Sequence, residues 1–117
     1  MRRIMLRSKL HRVRLTGTLL EYEGSIAIDE DLIDAADMLP NEQVQVLNMA
    51  NGARFTTYII KAERGSGTVL LNGPAARLGE PGDEVIVLTY GELAEDEART
   101  HRPKVVHVDA HNRVRPD

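Results

Sequence analysis

A glycine followed directly by a serine, Gly24-Ser25, is the pair in this sequence whose residue types and order could support covalent chemistry. Glycine has no side chain and tolerates strained backbone conformations, so the serine hydroxyl can reach back to the glycine carbonyl. Attack on that carbonyl would convert the amide to an ester, and β-elimination followed by hydrolysis would leave a chain that begins with a pyruvoyl group. Most Gly-Ser pairs are ordinary turns, so the dipeptide alone leaves both interpretations open.

Six sequence blocks, one of which contains this pair, carry a family resemblance. They are Met5-Leu6-Arg7-Ser8-Lys9-Leu10-His11-Arg12-Val13, Tyr22-Glu23-Gly24-Ser25, Ala27-Ile28-Asp29, Asn51-Gly52-Ala53-Arg54-Phe55-Thr56-Thr57-Tyr58, Ala62-Glu63-Arg64-Gly65-Ser66-Gly67 and Asn72-Gly73-Pro74-Ala75-Ala76. In order and spacing, from residue 1 to about residue 104, the chain resembles the aspartate 1-decarboxylases, pyruvoyl enzymes that make β-alanine for pantothenate and coenzyme A synthesis. The resemblance implies a carboxy-lyase that cleaves itself into residues 1–24 and 25–117.

The same resemblance implies that the cofactor is a covalent pyruvoyl group derived from Ser25, with no metal and no pyridoxal phosphate. Its carbonyl would condense with the α-amine of L-aspartate to give an imine conjugated to the adjacent amide carbonyl. The electrons left behind when CO₂ departs can flow into that system. The protein would add carboxylate binding, orientation and a proton donor.

The resemblance assigns the catalytic roles to four positions. Gly24 supplies the carbonyl that is attacked, and Ser25 supplies the nucleophile that becomes the pyruvoyl group. Thr57 donates a hydrogen bond to the oxyanion formed during cleavage, and Tyr58 returns a proton to the carbanion after CO₂ leaves. Considered only by residue type, Thr57 is also typical of a strand threonine, and Tyr58 of a cross-strand packing residue.

Two cations match the substrate-binding residues of the family, Arg54 and Lys9. A guanidinium suits a carboxylate through two parallel hydrogen bonds. We assign both cations mainly to the side-chain carboxylate of aspartate, because clamping the carboxylate that leaves would stabilise the ground state. By residue type alone, Arg54 is a surface arginine beside a turn. The other family positions at the site are Asn72, Gly73, Ala75, His11 and Tyr22.

Three residues depart from the family pattern. Pro74 stands where alanine is expected, and proline has no N–H, so a backbone donor at position 74 is lost while Gly73 and Ala75 keep theirs. Leu47 stands where a larger aromatic residue is expected, and Ile26 stands where a smaller side chain is expected. These two changes affect the shape of the pocket wall rather than the reacting groups.

Length and composition predict one globular domain spanning residues 1–117, with 42% hydrophobic and 28% charged residues. The absence of cysteine excludes disulfides and thiolate chemistry. No apolar run is long enough for a membrane span, and the basic start lacks the apolar region of a secretion signal, so we expect a cytoplasmic protein. Asp29-Glu30-Asp31 lacks an EF-hand pattern, and His107 and His111 fall at a strand end and in a tail, so we expect no metal site.

The charge is distributed unevenly, with a net +4 over residues 1–24 and −7 over residues 25–117. A basic segment on an acidic body suggests internal charge pairing or an anionic ligand. The alternative function is therefore a small β-barrel binding module whose basic N-terminal strand binds nucleic acid or an acidic partner. The segment has no interleaved aromatic residues for base stacking and the whole chain is acidic, which argues against nucleic acid.

Hydrophobic alternation and turn residues predict many short strands and two short helices, typical of a small, mainly β barrel. The resemblance specifies a double-psi β-barrel, assembled as a homotetramer with active sites between neighbouring subunits, and nothing in the sequence indicates a maturation helper. Asn51-Gly52 predicts a tight hairpin, Asp29 caps a helix that Pro40 stops, and a second helix begins at Pro74. Strands are predicted over 11–20, 25–28, 43–49, 54–60, 68–71, 84–90 (central) and 104–108 (edge), with a solvated acidic segment over 92–98 and little to bury after 108.

Overall fold

The computed structural model describes residues 1–116, in which eight strands, two α-helices and one 3₁₀ helix are found. The strands are β1 (Arg2–Arg14), β2 (Gly17–Leu19), β3 (Ser25–Asp29), β4 (Gln43–Asn48), β5 (Arg54–Ala62), β6 (Val69–Asn72), β7 (Glu84–Ala94) and β8 (Lys104–His107). The helices are α1 (Glu30–Ala35), the 3₁₀ helix (Gly73–Leu78) and α2 (Glu95–Thr100).

The strands form one sheet in the order β2-β6-β3-β5-β4-β7-β1-β8, which curls into a barrel. Strands β1 and β2 lie near opposite ends of this order but are separated in the chain only by Leu15 and Thr16. The Leu15 N–H bonds the Asp83 carbonyl at 2.8 Å, and the Thr16 N–H bonds the Val69 carbonyl at 2.7 Å. This corner brings the two ends of the sheet together.

Strand β6 is hydrogen-bonded between two strands that are joined to each other by a loop. It pairs in parallel with β2 and antiparallel with β3. This arrangement is a psi motif, and the structure agrees with the small, mainly β double-psi barrel implied by the resemblance.

The barrel interior is filled by aliphatic side chains from alternate positions of the strands. On β4 and β7 the inward residues are valines, and all five residues of β3 are buried. The buried valines of these two strands are Val44, Val46, Val85 and Val87.

Several predicted elements are confirmed because their signals are local. Strands β4 and β5 form the antiparallel hairpin, although four loop residues rather than two separate Asn48 from Ala53, and Gly52 has φ +74°. Strand β7 lies between β4 and β1, as its apolar sequence predicts, and β8 lies at the edge of the sheet.

The predicted strand over 11–20 is wrong in its bounds. Strand β1 begins at Arg2 and pairs with β7 along its length, from Arg2 opposite Ala94 onward. Its register shifts between Leu6 and Ser8 and again between Leu10 and Val13. Each shift moves the following side chains to the other face, so a strict period of two is absent from the sequence of β1.

Three other expectations are corrected. The first helix ends at Ala35 because Asp37 adopts φ +55°, which leaves Leu39 68% exposed instead of packed on the helix face. Segment 92–98 is largely exposed, as expected of a solvated acidic segment, but it is regular structure, containing the end of β7 and most of α2. The tail after residue 108 does bury a side chain, that of Asn112.

The basic residues of the first strand are mostly paired with carboxylates of the same chain. Five of the six basic residues in segment 1–24 form ion pairs, whereas Lys9 forms none within residues 1–116. This is the internal charge pairing suggested by the uneven charge. The pairs are Arg2–Glu92, Arg3–Glu95, Arg7–Glu42, Arg12–Glu84 and Arg14–Glu84.

Asp29, at the end of β3, is a buried carboxylate that joins the strand to a turn and a helix. It accepts hydrogen bonds from the N–H groups of Asp31 at 2.8 Å, Gly65 at 3.0 Å and Gly67 at 2.7 Å. Burial alone would raise the pKa of Asp29, but these three donors outweigh it and hold the pKa below its ordinary value. The ionised form is therefore the one that stabilises the fold.

We expect Asp29→Asn to cost about 1–3 kcal/mol of stability at neutral pH, because the new amide places an N–H against backbone donors. Since the folded pKa of Asp29 is depressed, its contribution is present above about pH 4 and is lost as the pH falls through the folded pKa. Thermal melts against pH, with Ser25→Ala in every chain to prevent cleavage, should show a gap between variant and parent that closes in acid. The exposed Asp96→Asn serves as the control, and a gap that stays constant down to acid pH would contradict this role.

Candidate active site

Ser25, the first residue of β3, is fully buried, and its hydroxyl is turned back along the chain. The Oγ donates to the carbonyl of Glu23 at 3.1 Å and accepts from Nδ2 of Asn72 at 3.0 Å. A bond to the carbonyl two residues earlier shows that the hydroxyl is directed toward the N-terminal side of Ser25, where the Gly24-Ser25 peptide lies.

Asn72 occupies a position where two strands converge. As the last residue of β6 it pairs with Leu19 on one side and with Ser25 on the other. Residues 20–24, which we call the scissile loop, therefore cross over the end of β6. The buried amide of Asn72 lies beneath this crossing and donates to Ser25.

Gly73 and Pro74 form the surface against which the scissile loop packs. Gly73 has φ +64°, and a Cβ there would lie 2.7 Å from both the Gly24 nitrogen and the Tyr22 carbonyl oxygen. A Cβ added to Gly24 would in turn lie 3.3 Å from Cδ of Pro74. Only glycine at position 73 allows the loop to approach this closely.

A cavity of about 410 Å³ opens beside the scissile loop. The parallel pairing of β3 with β5, in which Ile26 lies opposite Ile59, brings residues 57 and 58 alongside residues 24 and 25. The cavity therefore gathers predicted site residues from three elements. Its lining residues are Gly24, Phe55, Thr56, Thr57, Tyr58, Pro74, Ala75 and Leu78.

The side chains of Thr57 and Tyr58 point to opposite faces of β5. Thr57 lies opposite the buried Val44, whereas Tyr58 lies opposite the exposed Gln43. Both are half-buried, and neither hydroxyl forms a hydrogen bond within the described residues 1–116. Both hydroxyls are thus free to donate, and both residues line the cavity.

Arg54 and Lys9 are not brought to Ser25 within the chain. Arg54 lies four residues before Tyr58 on β5, a separation of about 13 Å along an extended strand. Its Nη1 donates to Oε1 of Gln45 at 3.0 Å. Lys9 lies on β1, and three strands separate β1 from β3 in the sheet order.

His11 and Tyr22 also lie apart from the Ser25 hydroxyl. The His11 ring packs edge-to-face on His107, with centroids 5.5 Å apart, and its buried Nδ1 has no partner among residues 1–116. Burial lowers the pKa of His11, and the positive charge of Lys9 lowers it further. Tyr22 contributes its carbonyl to the contact with Gly73, while its side chain is largely exposed.

Three contributions were not found from the sequence. The Glu23 carbonyl accepts from Ser25, but any residue provides a carbonyl, so residue type gives no signal. Phe55 shares a strand face with Thr57, and the period of two could have identified it as a lining residue. Leu78 lines the cavity from the end of the 3₁₀ helix. The sequence predicts where this helix begins, at Pro74, but not how far it extends.

Residues 1–116 contain neither a candidate metal site nor a membrane-spanning helix. No group of three or more His, Cys, Asp or Glu side chains in this range could hold a metal ion. No helix within the same described range is long and apolar enough to cross a membrane.

Comparison with known proteins gives a consistent result along the whole chain. The family model for aspartate decarboxylase matches residues 1–115. The aspartate 1-decarboxylase of Salinibacter ruber is 63% identical over 110 residues, which cover 94% of this chain and 75% of that protein. That of Heliobacterium modesticaldum is 57% identical over 117 residues, covering 100% and 89%, and that of Bordetella avium is 58% identical over 115 residues, covering 98% and 94%. Because the family model spans residues 1–115 and these relatives are 57–63% identical over nearly the whole chain, the chain belongs to the aspartate decarboxylase family.

Proposed function

We propose that this chain is a pyruvoyl-dependent aspartate 1-decarboxylase, which converts L-aspartate to β-alanine and CO₂ for pantothenate and coenzyme A biosynthesis. It first cleaves itself between Gly24 and Ser25. The observation that carries this proposal is the buried Ser25 hydroxyl, directed toward the Gly24-Ser25 peptide and held there by Asn72. In a member of the aspartate decarboxylase family, that hydroxyl is the nucleophile of self-cleavage.

Cleavage uses only groups of the chain and one water. Ser25 Oγ attacks the Gly24 carbonyl carbon and loses its proton, the Ser25 nitrogen leaves as an amine, and the amide becomes an ester. Loss of the Ser25 α-proton then expels the Gly24 carboxylate from Cβ. Water adds to the resulting dehydro residue, ammonia departs, and the new chain begins with a pyruvoyl group.

The residues around Ser25 fit both the cleavage and the group it forms. The Asn72 amide and the two free hydroxyls of Thr57 and Tyr58 are donors, which suit an oxyanion or a carbonyl oxygen. When formed, the pyruvoyl group supplies a carbonyl that binds the substrate amine covalently and accepts the electron pair released with CO₂. Tyr58 holds the proton that is returned to the substrate carbon, and Asn72 with the backbone of Gly73 and Ala75 orients the substrate oxygens.

Carboxylate recognition requires cations, and the cavity beside Ser25 is lined by none. Neither Arg54 nor Lys9 has a carboxylate partner within residues 1–116, and both lie away from Ser25. These facts support a homotetramer in which Arg54 and Lys9 of a neighbouring subunit complete each site. Apolar side chains exposed on the same barrel also support association: Ile4 is 76%, Met49 50% and Tyr90 44% exposed.

The ion pairs of the basic strand weaken the alternative of a nucleic-acid or acidic-partner binding module. Five of its six basic side chains already have carboxylate partners in the same chain. The biosynthetic role of the family supports a cytoplasmic location.

We expect the purified protein to give two fragments, residues 1–24 and 25–117, in an intact-mass measurement. Their summed mass should equal that of the precursor plus water minus ammonia, because the second fragment begins with a ketone. Simple hydrolysis would add water and release nothing. The second fragment should also react with hydrazines, and a chain that stays whole and inert to them after prolonged warm incubation would overturn the proposal.

Thr57→Val should leave a folded but largely uncleaved chain. The substitution keeps the side-chain volume and removes the hydroxyl donor, and loss of one such donor typically costs about 10²–10³ in rate. Cleavage is followed on a denaturing gel, with Thr56→Val on the same strand as the control. Cleavage of Thr57→Val at the rate of the parent chain would show that its hydroxyl has no part in processing.

Mixed assemblies can test whether one site uses two subunits. A chain with Ser25→Ala lacks the electrophile, and a chain with Arg54→Ala, shown beforehand to be cleaved, lacks the carboxylate cation. If sites lie between subunits, random mixing should restore about a quarter of the wild-type activity per chain, since that fraction of interfaces pairs two intact contributions. A site built within one chain would give no recovery on mixing.

A further inference from the structure

Asn112 lies in the C-terminal tail and is almost completely buried, at 2% exposure. Its Oδ1 accepts from the N–H of Arg14 at 2.9 Å, and its Nδ2 donates to the carbonyls of Arg14 and Gly67, each at 2.9 Å. One side-chain amide therefore joins the end of β1 to the turn before β6. These two segments are 98 and 45 residues away from it in sequence.

The tail is organised to present this amide. Asp109 accepts from the N–H groups of His111 at 2.8 Å and Arg113 at 2.9 Å, which closes a turn around Asn112. Asn112 itself has φ +61°, a conformation that asparagine tolerates better than most residues. A bridge between Val108 and Val114 closes the tail on itself. We call residues 107–115 the latch.

At Arg14, the latch holds the end of β1, from which the chain runs through β2 into the scissile loop. Two residues later, Thr16 forms three hydrogen bonds with Val69, the first residue of β6. The Thr16 N–H and hydroxyl donate to the Val69 carbonyl, at 2.7 Å and 3.1 Å respectively. The Thr16 hydroxyl also accepts from the Val69 N–H at 3.0 Å. Strand β2 follows directly and ends at Leu19, opposite Asn72. The latch at Arg14 thus anchors the chain three residues before β2, the strand that leads into the scissile loop.

At Gly67, the latch holds the strand that leaves the scissile loop. The Gly67 N–H bonds the carboxylate of Asp29, the last residue of the strand that begins with Ser25. A Cβ at Gly67 would lie 2.8 Å from the His111 carbonyl, so the turn and the latch are in tight contact. Gly67 thus anchors the far end of β3, which along its length is paired with β5 and β6.

We propose that Asn112 is a positioning residue for self-cleavage. By joining Arg14 to Gly67, it fixes β2 and β3 relative to each other and keeps the scissile loop pressed over Asn72 with the Ser25 hydroxyl turned back. This inference rests on the proposed function, since it concerns the cleavage at Gly24-Ser25. Attack geometry is sensitive to displacement, and a misplacement of about 1 Å can cost roughly 10²-fold in rate.

A role of Asn112 in positioning the loop can be distinguished from a role in overall stability, because a positioning role is needed only before cleavage. Once the bond between residues 24 and 25 is broken, β2 and β3 no longer have to bring Ser25 Oγ onto the Gly24 carbonyl, and β3 remains held by its pairing with β5 and β6. Loss of Asn112 should therefore slow formation of the pyruvoyl group while leaving the activity per pyruvoyl group close to that of the wild type.

Two substitutions separate the side chain from the backbone conformation. Asn112→Gly keeps the positive φ and removes all three side-chain bonds. Asn112→Asp keeps an acceptor for the Arg14 N–H but places a carboxylate oxygen against two carbonyls. Freshly translated precursor is incubated and its cleavage followed by intact mass, with melting temperature measured on the same chains carrying Ser25→Ala.

We expect both variants to lengthen the cleavage half-time at least about 10-fold, with Asn112→Asp slower than Asn112→Gly. Ala98→Gly in α2, which weakens the fold away from the latch, should lower the melting temperature without slowing cleavage. Should these two variants not fold, Asn112→Gln, which keeps the amide but displaces it by one methylene, tests the same three bonds and should also slow cleavage.

Each outcome distinguishes the two proposals. Slow cleavage with wild-type activity per pyruvoyl group supports the role of Asn112. Cleavage at the wild-type rate, or slowing no greater than that of a control with equal loss of melting temperature, overturns it while self-cleavage of the parent chain stands. A parent chain that never cleaves overturns the proposed function, and this inference with it.

Discussion

The crossing of the chain over the end of β6 is the constraint on which the site depends. Leu19 and Ser25 both pair with Asn72, so they lie two strand spacings apart, about 10 Å. An extended chain of six residues can span roughly 20 Å. The segment from Leu19 to Ser25 is therefore longer than the gap it crosses and must arch over the end of β6. Gly73, which lacks a side chain and adopts a positive φ, allows the arch to rest directly on the backbone beneath it. Strand pairing on both sides thus places the Ser25 hydroxyl, without any bond from the loop itself to the rest of the barrel being needed.

Two buried polar side chains hold the strands that carry this crossing. Asp29 accepts three N–H bonds at the far end of β3, and Asn112 forms three bonds at the far end of β1. A buried polar group is costly unless it is satisfied, and each satisfied bond contributes only about 0.5–1.5 kcal/mol net. The main effect of Asp29 and Asn112 is therefore to fix the geometry of the strands and not to add much stability. Apolar contacts alone would allow a strand to shift slightly relative to its neighbours. A carboxylate or amide that is hydrogen-bonded to fixed partners opposes such a shift.

Features with local signals could be predicted from the sequence, and features that depend on distant contacts could not. The β4–β5 hairpin and the central β7 follow from turn residues and apolar runs within a few residues of each other. Strand β1 does not, because two register shifts interrupt its alternation. Asn112 carries no signal at all, since its partners are remote in sequence. At the site, the six motif blocks identified Ser25, Asn72 and Gly73, but the acceptor at Glu23 is a backbone carbonyl that no residue type reveals.

The distribution of site residues along the chain separates two tasks. The groups that we propose for breaking the Gly24-Ser25 bond lie within one chain, where β3, β5 and β6 are adjacent in the sheet. The cations Arg54 and Lys9 lie elsewhere on the same barrel, on strand positions whose side chains lack carboxylate partners among residues 1–116. With the cations supplied from a neighbouring subunit, as we propose, the electrophile and the carboxylate recognition are built on separate surfaces, and only their juxtaposition creates a site for a dicarboxylic amino acid.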